Sequence, residues 1–353
     1  MRVTIAEIAR ADMNKDSLRI AIVTDAYYPH VSGVARTLES TKNELERRGH
    51  TVLVIAPRDF KWKMKAPKNP EIELVQFPDR QLTKMLDEFK PDALHISVEG
   101  PLGFSAMRYA KKRKMRYSTA YHTRFPEYVR IQFGIPEWIT YMVLRRLHKG
   151  AHHVMVASER LKEELDAHDM GNCVIWNRGV DTELFTPNDP LALSGEKPIF
   201  MYMGRVAYEK NLEAFLKLEL PGTKYVVGDG PAKAALEKKY PDAVFTGYKF
   251  GKELAQHLAA ADVFVFPSLT DTLGLVMLEA NACGTPIATV PSQASDAVVV
   301  EGVNGVVRED LRDACLEALK LPREKCREHA LTMGWKEPTD KFLANLVAVK
   351  KEK

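Results

Sequence analysis

The chain alternates between short apolar runs and longer stretches in which apolar residues recur at helical spacing. Such runs predict strands that are buried on both faces of parallel sheets, with helices between them. In the first half they predict strands at 18–24, 51–56, near 72–77, 93–97, 116–120 and 154–157. A second set begins at Pro198 and continues at 225–227, 244–246, 263–266, 287–290 and 305–307. The alternation predicts an α/β fold with two sets of parallel strands.

The two sets of strands divide the chain into domains. A helix from Val34 to Arg48 and a polybasic loop at 58–68 belong to the first set, and an extended segment leads out of it. The predicted parts are an extension at 1–16, a first Rossmann-like domain at 17–190, a second at 191–334 and a closing segment at 335–353 with a helix at about 336–349.

Length and composition agree with two domains and exclude several classes of protein. A chain of 353 residues is too long for one ordinary domain, and its net charge of +4 is too small to argue for a nucleic-acid partner. The four cysteines form no C-x-x-C pair, which predicts reduced, buried residues rather than disulfides or a zinc site. No run of 18 apolar residues occurs and the amino terminus is charged, so we expect a cytoplasmic protein that is neither exported nor membrane-spanning.

The segment from Phe266 to Pro286 carries the strongest chemical signal. A strand precedes a loop containing Asp271, and a helix begins at Gly274 with Glu279 about one and a half turns further on. Backbone N–H groups at the start of this helix suit a phosphate, and the two oxygens of Glu279 suit the hydroxyls of a ribose. Alternatively, both acids are solvated groups on an ordinary α/β unit.

A second segment, from Phe200 to Asn211, repeats the order of strand, glycine turn, spaced cations and helix. Arg205 can bind a phosphate bidentately, and Lys210 adds a point charge for a diphosphate leaving group. Alone, this segment is more typical of a helix start with incidental surface cations. The two segments together favour a site for a sugar nucleotide.

With these motifs the chain resembles the family-4 retaining glycosyltransferases of the GT-B fold, from about Leu18 to Val347. Gly204-Arg205 with Glu209-Lys210-Asn211 resembles the family's phosphate-binding pair, and Asp271 to Glu279 resembles its acid-x7-Glu signature. Three further segments are similar to the family's interdomain connection, amino-terminal glycine loop and central histidine segment, at 177–187, 24–34 and 121–128 respectively. The last two are closest to a bacterial and plant branch that includes glycolipid glycosyltransferases and mannosyltransferases.

The resemblance implies two Rossmann-like domains whose parallel sheets face each other across a cleft, and a carboxy-terminal helix that crosses back to the first domain. It implies retention at the anomeric carbon, with the departing diphosphate helping to deprotonate the acceptor. The implied catalytic residues are His122, Asp271, Arg205 and Lys210. The implied donor-binding residues are Gly33, Arg205, Lys210, Tyr248, Lys249, Asp271, Thr272, Leu273, Gly274, Leu275 and Glu279, and the acceptor-side residues are Asp25, Arg124 and Glu127.

Three positions depart from the family pattern. Asp271 stands where Glu is usual, Ser32 stands where many members have a second glycine, and Asn281 replaces a residue that is usually apolar. None of these changes removes a charge that the chemistry needs. His122 itself has an alternative role as a structural histidine at a strand end, although its place after a buried strand favours a functional one.

No D-x-D motif is evident, so we expect catalysis without a cofactor and without an essential divalent metal, the cations and helix ends taking the place of Mg²⁺.

Two basic segments of the first domain suggest contact with an anionic membrane. One is the run 110–116, and the other is 136–149, where cations and aromatic residues recur at helical spacing. Alternatively, Trp138, Tyr141 and Leu144 face the core and the cations only solvate the opposite face. The predicted contact residues are Lys111, Lys112, Arg113, Lys114, Trp138, Arg145 and Arg146, which would place the protein peripherally on the inner face of the cytoplasmic membrane.

The sequence is therefore interpreted as a retaining hexosyltransferase that uses a UDP-sugar, or less favourably a GDP-sugar, and acts on a hydroxyl of a membrane lipid or glycan. One alternative is a sugar-nucleotide epimerase of the same fold, for which His122 and Glu127 are the only extra acid/base candidates. The other is a noncatalytic binding protein, which we rank last because Arg205, Lys210 and Glu279 are all present.

Overall fold

The computed structural model describes residues 17–28, 32–66, 69–122, 124–269, 271 and 273–346. The chain forms two compact units, which are Met1–Asn177 together with Lys336–Lys353, and Arg178–Trp335. Residues 178–190, which the sequence analysis assigned to the first domain, thus belong to the second unit. Hydrogen bonds attach the connecting segment to the second unit directly after β8. Val180 N donates to Met333 O, and Arg327 donates to the carbonyls of Thr182 and Phe185.

The first unit is built on a parallel six-stranded sheet in the order β2-β1-β5-β6-β7-β8. Residues of β1 alternate between two buried clusters, with Ala21 and Val23 in one and Ile20 and Ile22 in the other, so both faces are covered. Its strands are β1 Arg19–Val23, β2 Thr51–Ile55, β5 Ala93–Ile96, β6 Ser118–Ala120, β7 Val154–Val156 and β8 Cys173–Ile175. Its helices are α1 Gly33–Arg47, α2 Asp79–Phe89, α3 Pro101–Lys112, α4 Phe125–Phe133, α5 Glu137–His148 and α6 Glu159–Ala167.

Two expectations for this sheet were wrong. The strand expected near 72–77 runs over β4 Asn69–Val75 and lies outside the main sheet, because it pairs antiparallel with β3 Lys63–Ala66. The polybasic segment that was expected to be a loop thus contains a strand. The sixth place in the sheet is taken by β8, which had been predicted to be part of the extended exit segment.

The second unit contains a parallel sheet in the order β11-β10-β9-β12-β13-β14, as the apolar runs predicted. The strands are β9 Ile199–Met203, β10 Thr223–Val227, β11 Val244–Gly247, β12 Val263–Phe266, β13 Ile287–Thr289 and β14 Gly305–Val307. The helices are α7 Leu212–Leu216, α8 Lys233–Lys239, α9 Gly251–Ala260, α10 Leu275–Ala282, α11 Gln293–Val298, α12 Leu311–Ala318 and α13 Arg323–Leu331. The chain reverses its direction of winding between β9 and β12, and ligands of such folds bind at that point.

The last described helix, α14 Lys336–Asn345, packs in the first unit. Arg48, at the end of α1, binds the Asp340 carboxylate at 2.5 Å and the Lys336 carbonyl at 2.8 Å. Phe342 is fully buried, with its ring centroid 4.9 Å from that of Trp176. The return of the carboxy-terminal helix to the first unit agrees with the fold that the resemblance implied.

All four cysteines are buried and unbridged. Within the ranges that the structure describes, no helix is long and apolar enough to cross a bilayer.

Candidate functional site

The first loop of the site follows β9 and is fixed by backbone contacts. Gly204 has φ +147°, and a Cβ at Gly228 would lie 1.9 Å from the Gly204 carbonyl oxygen, so two glycine loops meet without side chains between them. Tyr202 Oη donates to the Arg205 carbonyl at 3.0 Å. Burial, and secondarily the nearby carboxylates of Asp271 and Glu209, raise the pKa of Tyr202, which therefore remains a donor. The backbone from which the Arg205 side chain extends is thus fixed.

The second loop follows β12, the neighbour of β9 in the sheet. Lys210 Nζ lies 2.5 Å from Asp271 Oδ1, and both side chains are about one quarter exposed. Asn211 adopts φ +54° and donates from Nδ2 to the Pro267 carbonyl at 3.2 Å. The ion pair and this hydrogen bond hold the two predicted ligand-binding segments together.

Helix α10 begins directly after the second loop. Gly274 is its N-cap residue with φ +70°, and a Cβ there would lie 2.8 Å from Met277 Cε and 3.0 Å from Phe266 Cζ. A side chain is thus excluded where the backbone turns into the helix. Met277 N donates to the Gly274 carbonyl at 2.9 Å, which leaves the amide groups of Leu275 and Val276 in the first turn for an anion.

Glu279 and Asn281 lie further along α10. Glu279 is only 7% exposed. Asn281 is fully buried, where its Nδ2 donates at 3.0 Å to the carbonyls of Thr285 and Asn304, and its Oδ1 accepts from Asn304 Nδ2 at 2.8 Å. The amide in place of an apolar residue therefore has a structural reason, since it ties α10 to the segment that precedes β14.

The remaining predicted donor residues lie at two places. Tyr248 follows β11 and is partly exposed beside Phe250, with ring centroids 6.0 Å apart. Lys249 Nζ lies 2.6 Å from Glu253 Oε1, so this side chain is held by a residue of α9. The backbone groups around Tyr248 and Lys249 remain the candidates for binding a base. Leu273 is buried. Thr272 lies outside the described residues.

In the first unit, Asp25 follows β1 and caps helix α3. Its side chain is partly buried, and it accepts from Leu102 N at 3.2 Å and from Gly103 N at 3.3 Å. Burial raises the pKa of Asp25 to about 7 against the lowering effect of these two bonds, and the nearby Glu99 carboxylate raises it further. Asp25 is therefore a proton-binding group near neutral pH.

A buried cluster of polar side chains, which was not predicted from the sequence, lies at the same edge of the sheet. His148 Nε2 lies 3.0 Å from Glu99 Oε1, and His148 Nδ1 lies 2.9 Å from Thr119 Oγ1. Glu99 follows β5, the neighbour of β1 at the reversal point of the first sheet. That position at a strand end could have identified it.

His122 follows β6, with its ring edge-on to Trp176 at 5.7 Å between centroids. Gly33 is the exposed first residue of α1, and Ser32 Oγ accepts from Ala35 N at 3.2 Å as the N-cap. Ser32 thus has a capping role that glycine lacks, which accounts for its departure from the family pattern.

Arg124 and Glu127 are bound to each other. Arg124 Nε lies 2.8 Å from Glu127 Oε1, and its Nη2 lies 2.9 Å from Glu164 Oε1. Their assignment to the acceptor side therefore stays a prediction, and the structure gives the pair an evident role in joining the start of α4 to α6.

The predicted membrane residues are largely on the surface. Trp138 is 66% exposed on α5, whereas Tyr141 and Leu144 face the core, as the alternative interpretation held for these two. Arg113 binds Asp87 at 2.7 Å, and Arg145 is half-buried. The exposed cations of the set are Lys111, Lys112, Arg113, Lys114 and Arg146.

The structure thus gathers Arg205, Lys210, Asp271, Gly274 and Glu279 around the reversal point of the second sheet. Among the residues with described positions, no three His, Cys, Asp or Glu side chains are grouped as metal ligands.

Comparisons with known proteins agree with this geometry. The sequence profile of Glycosyltransferase Family 4 matches residues 31–184, and that of Glycosyl transferases group 1 matches residues 197–321. A GDP-mannose-dependent alpha-mannosyltransferase of Mycobacterium tuberculosis is 31% identical over 76% of this chain and 78% of its own length. An alpha-monoglucosyldiacylglycerol synthase of Streptococcus pneumoniae is 27% identical over 89% of this chain and 81% of its own length. Among solved structures, a sucrose-phosphate synthase of Thermosynechococcus elongatus superimposes with a TM-score of 0.71 at 18% identity, over 93% of this chain and 98% of that chain.

Proposed function

The chain belongs to glycosyltransferase family 4 with the GT-B fold, and we propose that it is a retaining hexosyltransferase whose acceptor is a hydroxyl of a membrane lipid or glycan. Transfer of a sugar from a sugar nucleotide is the activity of this family. The observation that carries the proposal is the Lys210–Asp271 pair beside the start of α10, because it combines a cation, a hydrogen-bond acceptor and free amide groups at one strand end.

The charges of the second unit match a nucleoside diphosphate. Lys210 and Arg205 supply two cations, and α10 supplies amide groups that point out of its first turn. Negative charge grows on the diphosphate as the glycosidic bond breaks, so fixed cations and amides stabilise the transition state more than the ground state. Glu279 provides the carboxylate that we assign to the ribose hydroxyls.

We assign Asp271 to the hydroxyls of the donor sugar and His122 to a contact near its reacting carbon. Lys210 holds Asp271 Oδ1 and so orients the carboxylate as an acceptor. The departing diphosphate would take the proton of the acceptor hydroxyl on the same face of the sugar. Retention is also consistent with relatives named for alpha-linked products, because common glucose and mannose nucleotides are themselves alpha-linked.

Two donors are candidates. We favour a UDP-sugar by analogy with the family, with backbone groups around Tyr248 and Lys249 holding the base. GDP-mannose is the second candidate, since the M. tuberculosis relative is named for its dependence on it.

A lipid acceptor is favoured over a soluble glycan. The S. pneumoniae relative is named for making a glucosyldiacylglycerol. In this chain, α5 exposes Trp138 and Met142 beside Arg146, and such a mixture suits the interface of an anionic membrane. The protein would then act as a peripheral enzyme on the inner face of the cytoplasmic membrane.

Release of nucleoside diphosphate from a panel of UDP- and GDP-sugars tests the proposal, with and without anionic vesicles that contain diacylglycerol. Mass spectrometry of the lipid fraction identifies the product. Lys210→Ala should lower release by about two to three orders of magnitude. Lys239→Ala, which removes only the surface ion pair between Lys239 on α8 and Glu213 on α7, should leave it unchanged. Sugar interconversion without acceptor would instead indicate an epimerase, and binding without any turnover would indicate a noncatalytic protein.

Metal independence is tested in the same assay. We expect turnover to persist in EDTA, because Arg205, Lys210 and the start of α10 take the place of a divalent ion. Loss of turnover in EDTA and its recovery with Mg²⁺ or Mn²⁺ would contradict this part of the proposal.

A further inference from the structure

The β3–β4 hairpin of the first unit is anchored at its base. Phe60, which precedes β3, and Val75, at the end of β4, are buried in the core of that unit. The strands pair antiparallel with Lys63 opposite Val75 and Met64 opposite Leu74. These two residues fix the base of the hairpin in the fold.

On this hairpin, charged side chains lie on the face that includes a buried residue and apolar side chains lie on the exposed face, which is the reverse of the usual pattern. Lys63 and Glu73 form an ion pair at 2.5 Å on the face that includes the buried Val75. Side chains alternate along a strand, so Trp62 and Met64 lie on the opposite face. Trp62 is 68% exposed and Met64 is 47% exposed. The apolar side chains thus point to the surroundings of the protein, where they lose the benefit of burial.

A third apolar side chain lies at the base of the same hairpin. Gln76 N donates to the Trp62 carbonyl at 2.9 Å, and Phe77 follows it with 92% exposure. Phe77 also adopts φ +52°, a conformation that is unfavourable for a bulky residue. The protein therefore holds an aromatic ring in water by means of a strained backbone, and such strain is concentrated at functional sites.

The charged residues near these apolar side chains indicate the kind of partner that they contact. Residues 58–68 contain five cations (Arg58, Lys61, Lys63, Lys65 and Lys68) against the single acid Asp59. Lys61 and Lys65 are exposed on either side of Trp62 and Met64. Lysine is depleted at protein–protein interfaces, whereas lysine next to aromatic residues is typical of contact with anionic lipid headgroups.

We propose that the β3–β4 hairpin is a membrane-contact element, which places Trp62, Met64 and Phe77 in the interface of an anionic bilayer. This contact is additional to the surface of α5 and does not depend on the transferase activity proposed above. It gives the first unit an anchor whose apolar residues enter the headgroup region while Lys61 and Lys65 remain at the lipid phosphates.

Sedimentation of the full chain with phosphatidylglycerol/phosphatidylcholine vesicles tests the proposal. We expect the double variant Trp62→Ala/Phe77→Ala to lower the partition coefficient by about tenfold or more. Leu331→Ala is the matched control, because Leu331 is a similarly exposed apolar residue on α13 in the second unit. Unchanged binding of the double variant, an equal loss in the control, or no binding of the unaltered chain would overturn the proposal.

Charge and insertion are measured separately. Lys61→Gln should weaken binding about fivefold, and vesicles of phosphatidylcholine alone should bind weakly. In a Trp138→Phe background, brominated lipids should quench the tryptophan fluorescence, and adding Trp62→Phe should remove the quenching. Quenching that survives this change, or equal binding to neutral vesicles, would contradict the contact.

The last control separates this inference from the proposed function. Nucleoside-diphosphate release with a water-soluble short-chain diacylglycerol as acceptor, in the absence of vesicles, should be the same in the hairpin variants and the unaltered chain, because their changes lie at the first unit's hairpin and its base. If release is absent in all of them while vesicle binding follows the predictions, then the transferase proposal fails and the membrane contact stands.

Discussion

Lys210 and Asp271 form an ion pair between two neighbouring strand ends, with Nζ 2.5 Å from Oδ1. A partly exposed pair of this kind stabilises the fold by only about 0–1 kcal/mol. It can therefore exchange partners cheaply when a diphosphate brings two negative charges to Lys210. The pair is better understood as keeping a cation and a carboxylate in position than as a support for the fold.

The first prediction follows from this pairing. Asp271→Asn should leave the affinity for nucleoside diphosphate nearly intact, because it removes a competitor for Lys210, and it should reduce turnover through the lost contact with the sugar. Lys210→Ala should lower turnover by about two to three orders of magnitude. Calorimetric titration with UDP and GDP gives the affinity, and initial rates give the turnover.

His122→Ala belongs to the same comparison and should resemble Asp271→Asn in both measurements. If His122 is only structural, then the variant would show normal turnover per folded molecule, with any change confined to thermal stability. An equal loss of diphosphate affinity in His122→Ala, Asp271→Asn and Glu279→Ala would refute the assigned roles.

Glu279 should bind the ribose hydroxyls of the donor nucleotide. We expect Glu279→Ala to impair nucleotide binding, and we expect the isosteric Glu279→Gln to lose most of the preference for UDP over 2′-deoxy-UDP. A carboxylate that accepts two hydroxyls contributes about 1.5–3 kcal/mol, so the preference in the unaltered chain should be about tenfold or more. Retention of this preference in Glu279→Gln, with normal thermal unfolding as a control, would place Glu279 outside the ribose site.

Asp25 should make the stability of the protein depend on pH. Burial raises the pKa of Asp25 to about 7, well above its ordinary value of about 4. Between these values the folded chain holds a proton that the unfolded chain has released, so this group's contribution to stability is complete below about pH 4 and is lost as the pH rises to about 7. The urea-unfolding free energy of the unaltered chain should therefore fall over this range relative to Asp25→Asn.

The difference between the two proteins isolates this group from other carboxylates. Parallel curves for Asp25→Asn and the unaltered chain between pH 4 and pH 7 would mean that the side chain stays ionised. Asp340→Asn is a suitable control, because Asp340 is a largely exposed carboxylate in an ion pair with Arg48.

The anchoring of α14 gives a further prediction. Phe342 is fully buried against Trp176 and His95, so Phe342→Ala should destabilise the first unit by about 3–5 kcal/mol. Lys341→Ala on the same helix removes only a surface ion pair with Glu337 and should cost little. Urea unfolding followed by tryptophan fluorescence measures both, and similar midpoints for the two variants would show that α14 is weakly docked.

The sequence predicted the second unit more closely than the first. Its central strands β9 and β12 are apolar runs that are buried throughout, and glycine turns follow β9 and precede α10. In the first unit β8 runs directly into the extended exit segment, and the cationic pattern of 58–68 concealed β3 because alternating lysines resemble a solvated loop. The main errors thus lie where the apolar signal runs into an extended segment or is mixed with charge.

The same distinction holds for the site. Glycines and charges at strand ends identified Arg205, Lys210, Asp271 and Glu279, since their spacing is local. The Glu99–His148–Thr119 cluster joins residues up to 49 positions apart, and such pairing depends on strand order and helix packing. It could not be predicted from spacing. Likewise, Ser32 and Asn281 were unexplained departures until the structure gave one a capping role and the other a buried hydrogen-bond network.

The position of α14 also affects synthesis. The ribosome must complete the second unit before it makes the helix that covers Trp176, which is roughly 10–30 s for roughly 160 residues at the usual rates of elongation. During that interval the nascent first unit exposes the apolar surface that Phe342 later covers. Its folding therefore finishes after translation of the rest of the described chain, and a chaperone that binds apolar surface has a defined period in which to act.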